Sequence, residues 1–192
     1  FTLTKVVNGV GTVALRMKAA NAKTALFELD GQLEFWRRDE AQGLDWYREA
    51  EYLVRGWNPK LTREGAYQFE AAGVAYNHLL KRRAVEVTGA TPGTWSGAAE
   101  TVIKGIVRDQ CGADAAASRQ LAGLTIEADA ASGNTVTGDY SGKNLLEVCQ
   151  SIAAVGGGDF DVVGTGAAAF EFAWYAGQRG TDRSATVKFA PE

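Results

Sequence analysis

"NLLEVCQSIAAVGGGDFDV", Asn144 to Val162, places a helix and a strand side by side within nineteen residues. Leu145, Val148, Cys149 and Ile152 recur at helical spacing, with Leu146 and Ala153 beside them, so one face of a helix is apolar. Ser141 or Asn144 supplies the side-chain oxygen that caps its start. The Gly156–Gly158 run ends it. Beyond the glycines the period drops to two: Phe160 and Val162 point one way, Asp159 and Asp161 the other. A second helix lies upstream in "AAETVIKGIVRDQCG". Ala99, Val102, Ile103, Ile106, Val107 and Cys111 form its apolar stripe, Ser96 is a candidate N-cap and Gly112 the stop. Glu100 early and Arg108 late suit the helix dipole. From Asp159 onward, "DFDVVGTGAAAFEFAWYAGQRGTDRSATVKF" reads as three strands and two turns.

The first 72 residues read instead as strands. Val13, Leu15 and Met17 alternate on one face, after turn chemistry at Asn8-Gly9 and Gly11. Asp30-Gly31 predicts a two-residue hairpin between "LFEL" and "QLEFWR". "LDWYREAEYLVRGWNPKL" is aromatic-rich, and Tyr67 and Phe69 share a face in "GAYQFEAAGV". The expectation is an α+β, β-rich fold: an N-terminal antiparallel β-barrel or sandwich over 1–90, then an α+β domain over 91–192 with two amphipathic helices packed on strands. "TPGTWSGAAE" reads as loop between them.

Composition narrows the function. The chain has 192 residues and a net charge of −3, with cations spread along it and offset by acids. That argues against nucleic acid as the main partner. No apolar run approaches the roughly 20 residues of a membrane span, and "FTLTKVVNGVG" lacks the pattern of a signal peptide. Cys111 and Cys149 have no CxxC spacing and no histidine nearby, which disfavours zinc; they read as buried thiols, with a single disulfide between them left open.

Each candidate for chemistry has a plainer structural reading. His78, the sole histidine, precedes Leu79-Leu80 in "AYNHLLKRRAV", and no nucleophile motif accompanies it. It reads as a half-buried histidine on a short helix. Lys81, Arg82 and Arg83 read as the cationic end of that helix; Arg82 and Arg83 are candidates for contact with another subunit. The glycine-rich "GGGDF" and "GVGTV" lack the order of a phosphate loop. Acids occur as Asp159 and Asp161, Glu127 and Asp129, Glu49 and Glu51, with Asp139. A glycosidase or a calcium ion could use such pairs, but alternation with Phe160 and Val162 is the pattern of a strand's wet face. Trp36, Trp46, Trp57, Trp95 and Trp174 could stack on sugars or serve as core and interface anchors. No catalytic, cofactor or metal residue is assigned.

Taken in order, these segments resemble a known family: the tail hub, or baseplate hub, proteins of long non-contractile-tailed bacteriophages, similar in turn to the trimeric hub of contractile tails. The resemblance rests on the "NGVG" turn, "LDGQLEFWRRD", "WYREAEYLVRGW", "YNHLLKRRAV", "AETVIKGIVRDQCG" and above all "NLLEVCQSIA…GDFDV…FEF". It implies a structural protein and no enzyme. Such a protein closes the tail tube in the virion, is assembled in the bacterial cytoplasm, and forms a homo-oligomer, expected to be a trimer. It meets a distal tail protein and other tail-tip proteins, and a second barrel is expected beyond the chain. A carbohydrate-binding or adhesion module and a cell-wall hydrolase are the alternatives.

Overall fold

A computed structural model describes residues 1–40, 43–88 and 93–177. The first half is one antiparallel sheet of five strands in the order β1-β2-β5-β4-β3, curled into half a barrel. Its strands are β1 (Thr2–Thr4), β2 (Thr12–Lys18), β3 (Gln32–Asp39), β4 (Leu44–Leu61) and β5 (Tyr67–Val74). The long β4 changes register against β3 between Phe35 and Trp36, and against β5 between Val54 and Gly56. An extra residue on one strand bends it and deepens the twist. These points along β4, with a further shift against β3 between Arg37 and Asp39, account for the curl. The expected alternation holds in β2, where Val13 is buried and Leu15 and Met17 are half-buried between exposed neighbours. The inner face collects Val13, Tyr52, Val54, Phe69 and Ala71, all buried. Gly73 sits at the centre for a steric reason: a Cβ there would lie 2.7 Å from the Leu53 carbonyl oxygen.

Two local expectations are corrected. Asp30-Gly31 does form a turn, closed by Gly31 N–H on the Glu28 carbonyl with Asp30 at φ 61°, but it is not a hairpin. "LFEL" is no strand; it follows a 3-10 turn (Ala22–Leu26) capped by the Asn21 side chain, and β3 pairs with β4 instead. Ser96 is no N-cap either. It lies in β6 (Thr94–Ala98), in the stretch expected to be loop. There β6 pairs with β8 (Thr135–Asp139), and Ser96 Oγ meets Thr137 Oγ1 at 2.7 Å. Gly and Ser are weak strand formers, so only the pairing with β8 reveals the strand.

The second half follows its sequence pattern more closely. α3 (Leu145–Gly156) packs on β9 (Gly158–Gly166) and against α2 (Ala99–Cys111), which meets β6, β8 and β7 (Leu124–Ile126); β10 (Ala169–Ala176) lies between β9 and β7, parallel to β7. Every residue expected on the α2 stripe is buried. Asn144 caps α3 by accepting the Leu146 N–H, and Gly157, at φ 71°, ends it. Of the three closing strands expected, the last lies outside the described residues. α1 (His78–Lys81) is a single turn. The segment from Tyr76 to Val85 buries Tyr76, Leu79, Leu80 and Val85 in the same core as α2, α3 and β9. Each such side chain, fully buried, contributes roughly 1.5–3 kcal/mol. Glycines make room for two indoles: Trp95 covers Gly105, and Trp174 lies over Gly133, Gly156 and Gly158.

Candidate functional site

The outer edge of β9 faces the half-barrel, and among the described residues no strand pairs with it. An unpaired strand edge that is buried must find other partners. Here side chains replace the missing strand. Asn8 Oδ1 accepts the Phe160 N–H at 2.8 Å, Asn77 Oδ1 accepts Val162 N–H at 2.8 Å, and Glu51 Oε2 accepts Gly164 N–H at 3.1 Å. Gln32 Oε1 extends the row to Ala168 N–H at 2.8 Å. The alternation 160, 162, 164 is the period of a strand's edge. Arg48 completes the set by donating to the Gly164 carbonyl at 2.7 Å. Asn77, 2% exposed, also donates to the Gly9 carbonyl at 3.0 Å. Asn8 Nδ2 donates to Asp159 at 2.9 Å. Asparagine suits these positions because one planar amide both accepts from and donates to backbone groups. This ladder is the joint between the two halves.

Beside the joint lies a cavity of about 540 Å³, lined by Lys5, Arg48, Glu49, Glu51, Tyr76 and Asp161, among others. Three of the acids singled out in sequence therefore converge. Glu49 is held by Lys5 at 2.5 Å, and Glu51 by Arg48 at 2.8 Å and by the Gly164 N–H. Burial pushes the Glu51 carboxyl above its ordinary range, against the pull of the Gly164 N–H and Arg48. Asp159 and Asp161 are half-buried at the joint rather than on a wet face, because the half-barrel covers that side of β9. Glu127 and Asp129 are drawn elsewhere, Glu127 to Lys104 and Asp129 to the Ala131 N–H. Asp139 caps Ser141.

His78 is half-buried, as expected. Burial, and then Arg82, Arg55 and Lys81, push its pKa down, so the ring is neutral at pH 7. Arg82 makes a forked contact with Asp30, at 3.0 and 2.6 Å, which Arg55 also meets. Arg83 donates to the Arg119 carbonyl at 3.1 Å. Cys111 and Cys149 are free thiols, fully buried, and burial raises Cys111 to about 12. Among the described residues no three His, Cys, Asp or Glu side chains gather as metal ligands, and no helix is long and apolar enough to cross a membrane.

The surface is divided unevenly. Of the twelve large hydrophobic side chains exposed among the described residues, ten precede residue 68. Residues 1–88 carry thirteen Lys and Arg against eleven Asp and Glu, whereas 93–177 carry four against ten. Trp57, Leu61 and Tyr67 lie on the half-barrel's inner side, by register with Ala71 and Phe69. Trp36 and Trp46 lie on the opposite face, by register with Arg48. Among the described residues the sheet also ends in edges without a strand partner: β1 covers β2 only over Thr12–Ala14, and no strand pairs with the outer side of β3.

Two features escaped the sequence reading. The joint's acceptors are scattered from residue 8 to residue 77, so no local pattern announces them. The other is a buried ionic cluster, Glu100–Lys104–Glu127, at 2.6 and 3.1 Å. Its signal was present: Glu100 and Lys104, four apart, continue the stripe of Val107 and Cys111.

No curated protein matches the sequence. Among solved structures, the chain is similar to the E. coli c3393 protein, described as a component of the type VI secretion system with structural similarity to the T4 bacteriophage tail proteins gp27 and gp5. The TM-score is 0.46 and the identity 13%, over 86% of this chain and 42% of that one, so this chain spans less than half the length of that protein. Over residues 1–192 the sequence matches the Siphovirus ReqiPepy6 Gp37-like protein family, and the chain belongs to that family of phage proteins.

Proposed function

We propose that this chain is a component of a phage tail-tip or baseplate hub, closing the tail tube and anchoring distal tail parts. The half-barrels face one another in a homo-oligomer, a trimer, and the acidic α+β halves turn outward. The observation that carries this reading is the segregation of exposed apolar side chains onto the half-barrel: ten of the twelve large ones exposed among the described residues precede residue 68. Apolar surface of this extent gains by burial against a like surface, while the acidic halves repel and stay solvated. Arg82 and Arg83, each already held by an acceptor of its own chain, belong to the proposal as cations that also meet a neighbour. A distal tail protein and other tail-tip proteins are the further partners, the virion is the location, and assembly occurs in the bacterial cytoplasm. The carboxylates at the joint support a structural role rather than hydrolysis, since Glu49 and Glu51 are each committed to a cation.

Light scattering and negative-stain imaging of the full-length native protein test this. The expected result is a trimer with a central channel. Leu61→Asp with Tyr67→Ser, both on exposed positions, then shifts the mass toward monomer while circular dichroism shows the chain still folded, and the dependence of melting temperature on concentration is lost. A monomer at full length that forms no ring with its tail neighbours overturns the reading. A second reading, glycan adhesion, is favoured by Trp36 and Trp46. They are 53% and 60% exposed on one face, and Glu34 fixes the Trp36 indole N–H at 2.9 Å. Quenching of their fluorescence by cell-wall saccharides would favour it, and Trp36→Ala would abolish the signal.

A further inference from the structure

Asn8-Gly9 is the one Asn-Gly pair in the chain, and it stands at the joint. Asn-Gly is chemically labile because glycine leaves its backbone nitrogen unhindered. That nitrogen attacks the preceding side-chain carbonyl carbon, a C–N bond forms, and ammonia leaves with the amide proton. Water then opens the succinimide ring to aspartate or isoaspartate; no oxidant or reductant takes part. In the folded chain every atom this reaction needs is tied. Asn8 Oδ1 accepts Phe160 N–H, Nδ2 donates to Asp159, and the Asn8 carbonyl accepts from Gln150 at 2.8 Å. The attacking Gly9 N–H is itself bonded to the Val6 carbonyl at 3.3 Å, and Gly9 is buried. A Cβ at position 9 would come within 2.6 Å of Val6 Cγ1, so a larger residue there would have to displace that side chain.

We infer that Asn8 is a deamidation site gated by the joint, and that its conversion unlocks the joint. The reaction proceeds only from the opened form, so its rate reports the opening equilibrium. Its product fits the joint poorly. An oxygen then replaces the donor that faces the Asp159 carboxylate, and like charges so close repel. Isoaspartate adds a backbone carbon and moves the acceptor away from Phe160 N–H.

Peptide mapping of the full chain, incubated at mildly alkaline pH, quantifies isoaspartate at position 8. The folded chain converts at least about tenfold more slowly than the chain unfolded in denaturant. Gln150→Ala removes only the exposed donor to the Asn8 carbonyl, so it leaves the chain folded; it speeds conversion severalfold, about fivefold for one lost hydrogen bond. Asn8→Asp lowers the melting temperature, and Asp159→Asn added to it recovers part of the loss. Equal rates in folded and unfolded chains overturn the gating, as does an unchanged rate in Gln150→Ala. An Asn8→Asp chain that melts with the parent, or gains nothing from Asp159→Asn, overturns the unlocking.

Discussion

Replacing Lys104 by methionine removes one charge and leaves the side-chain stem nearly unchanged. The Lys104 side chain is 1% exposed, and its ammonium has three acceptors: Glu100 at 2.6 Å, Glu127 at 3.1 Å and the Ala128 carbonyl at 2.7 Å. All three ammonium protons are thereby used, which is what allows the charge to be buried. Glu100 also accepts from the Ser132 N–H and hydroxyl and from Ala130 N–H. Burial alone would raise the Glu100 carboxyl, but Lys104, Ser132 and Ala130 outweigh it and bring it down to about 2, from 4.5. A carboxyl depressed on folding stabilises the fold fully above 4.5 and ceases to do so as pH falls toward 2. The difference is about 3 kcal/mol. Lys104→Met strands the carboxylate, which costs about 3–5 kcal/mol out of a total of about 5–15. The melting temperature then falls by about 10 °C at this chain length. Glu100→Gln with Lys104→Met, leaving no buried charge on either side chain, recovers much of that loss. Urea and thermal denaturation, followed by circular dichroism for parent, both singles and the double, close the cycle. Between pH 4.5 and 2 the parent's stability should fall more steeply than that of Glu100→Gln. A Lys104→Met chain within about 1 kcal/mol of the parent, or single losses that simply add, would refute the account of the cluster.

The joint yields two further expectations. Asn77→Ala strips an acceptor from Val162 N–H and a donor from the Gly9 carbonyl, both in buried surroundings. It should cost about 2–4 kcal/mol in denaturation and speed amide exchange at Val162 before exchange in α2. Glu51→Gln keeps the acceptor for Gly164 N–H and removes a charge that burial disfavours, faced by Arg48, Glu34, Asp161 and Tyr76. Because the Glu51 pKa is raised on folding, the parent's stability should fall as pH climbs from 4.5 through the folded value. The Glu51→Gln chain should lack that slope, and a parent profile flat over the same window would count against a buried carboxylate.

The half-barrel keeps most of the large apolar side chains that are exposed among the described residues. β9, whose outer edge has no strand partner among the described residues, is sealed by side chains from the other half. Sealing with amides and a carboxylate rather than with a strand has a physical consequence. Each bond depends on a single side chain, so the joint can be weakened one residue at a time, whereas a paired strand slips or holds as a unit.

The sequence by itself determined the elements whose signal is local. α2 and α3 were legible because six apolar side chains recur at a helical period, and Asn144 and Gly157 mark the ends of α3 by chemistry that acts over four residues. β2 and β9 were legible because burial on one face imposes a period of two. The turn at Asp30-Gly31 was legible as a turn, but its partner strands were not, because turn chemistry says nothing about which strand pairs with which. Tertiary structure alone decided that β4 pairs with both β3 and β5 and bends where its register shifts, and that Thr94–Ala98 is a strand. It also brought Asn8, Asn77 and Glu51 to one edge, across up to 152 residues of chain. Hydrogen bonds of that reach leave no periodicity behind. They are chosen by the fold's need to satisfy buried N–H groups wherever a side chain can reach them, and that need appears only once the chain has closed on itself.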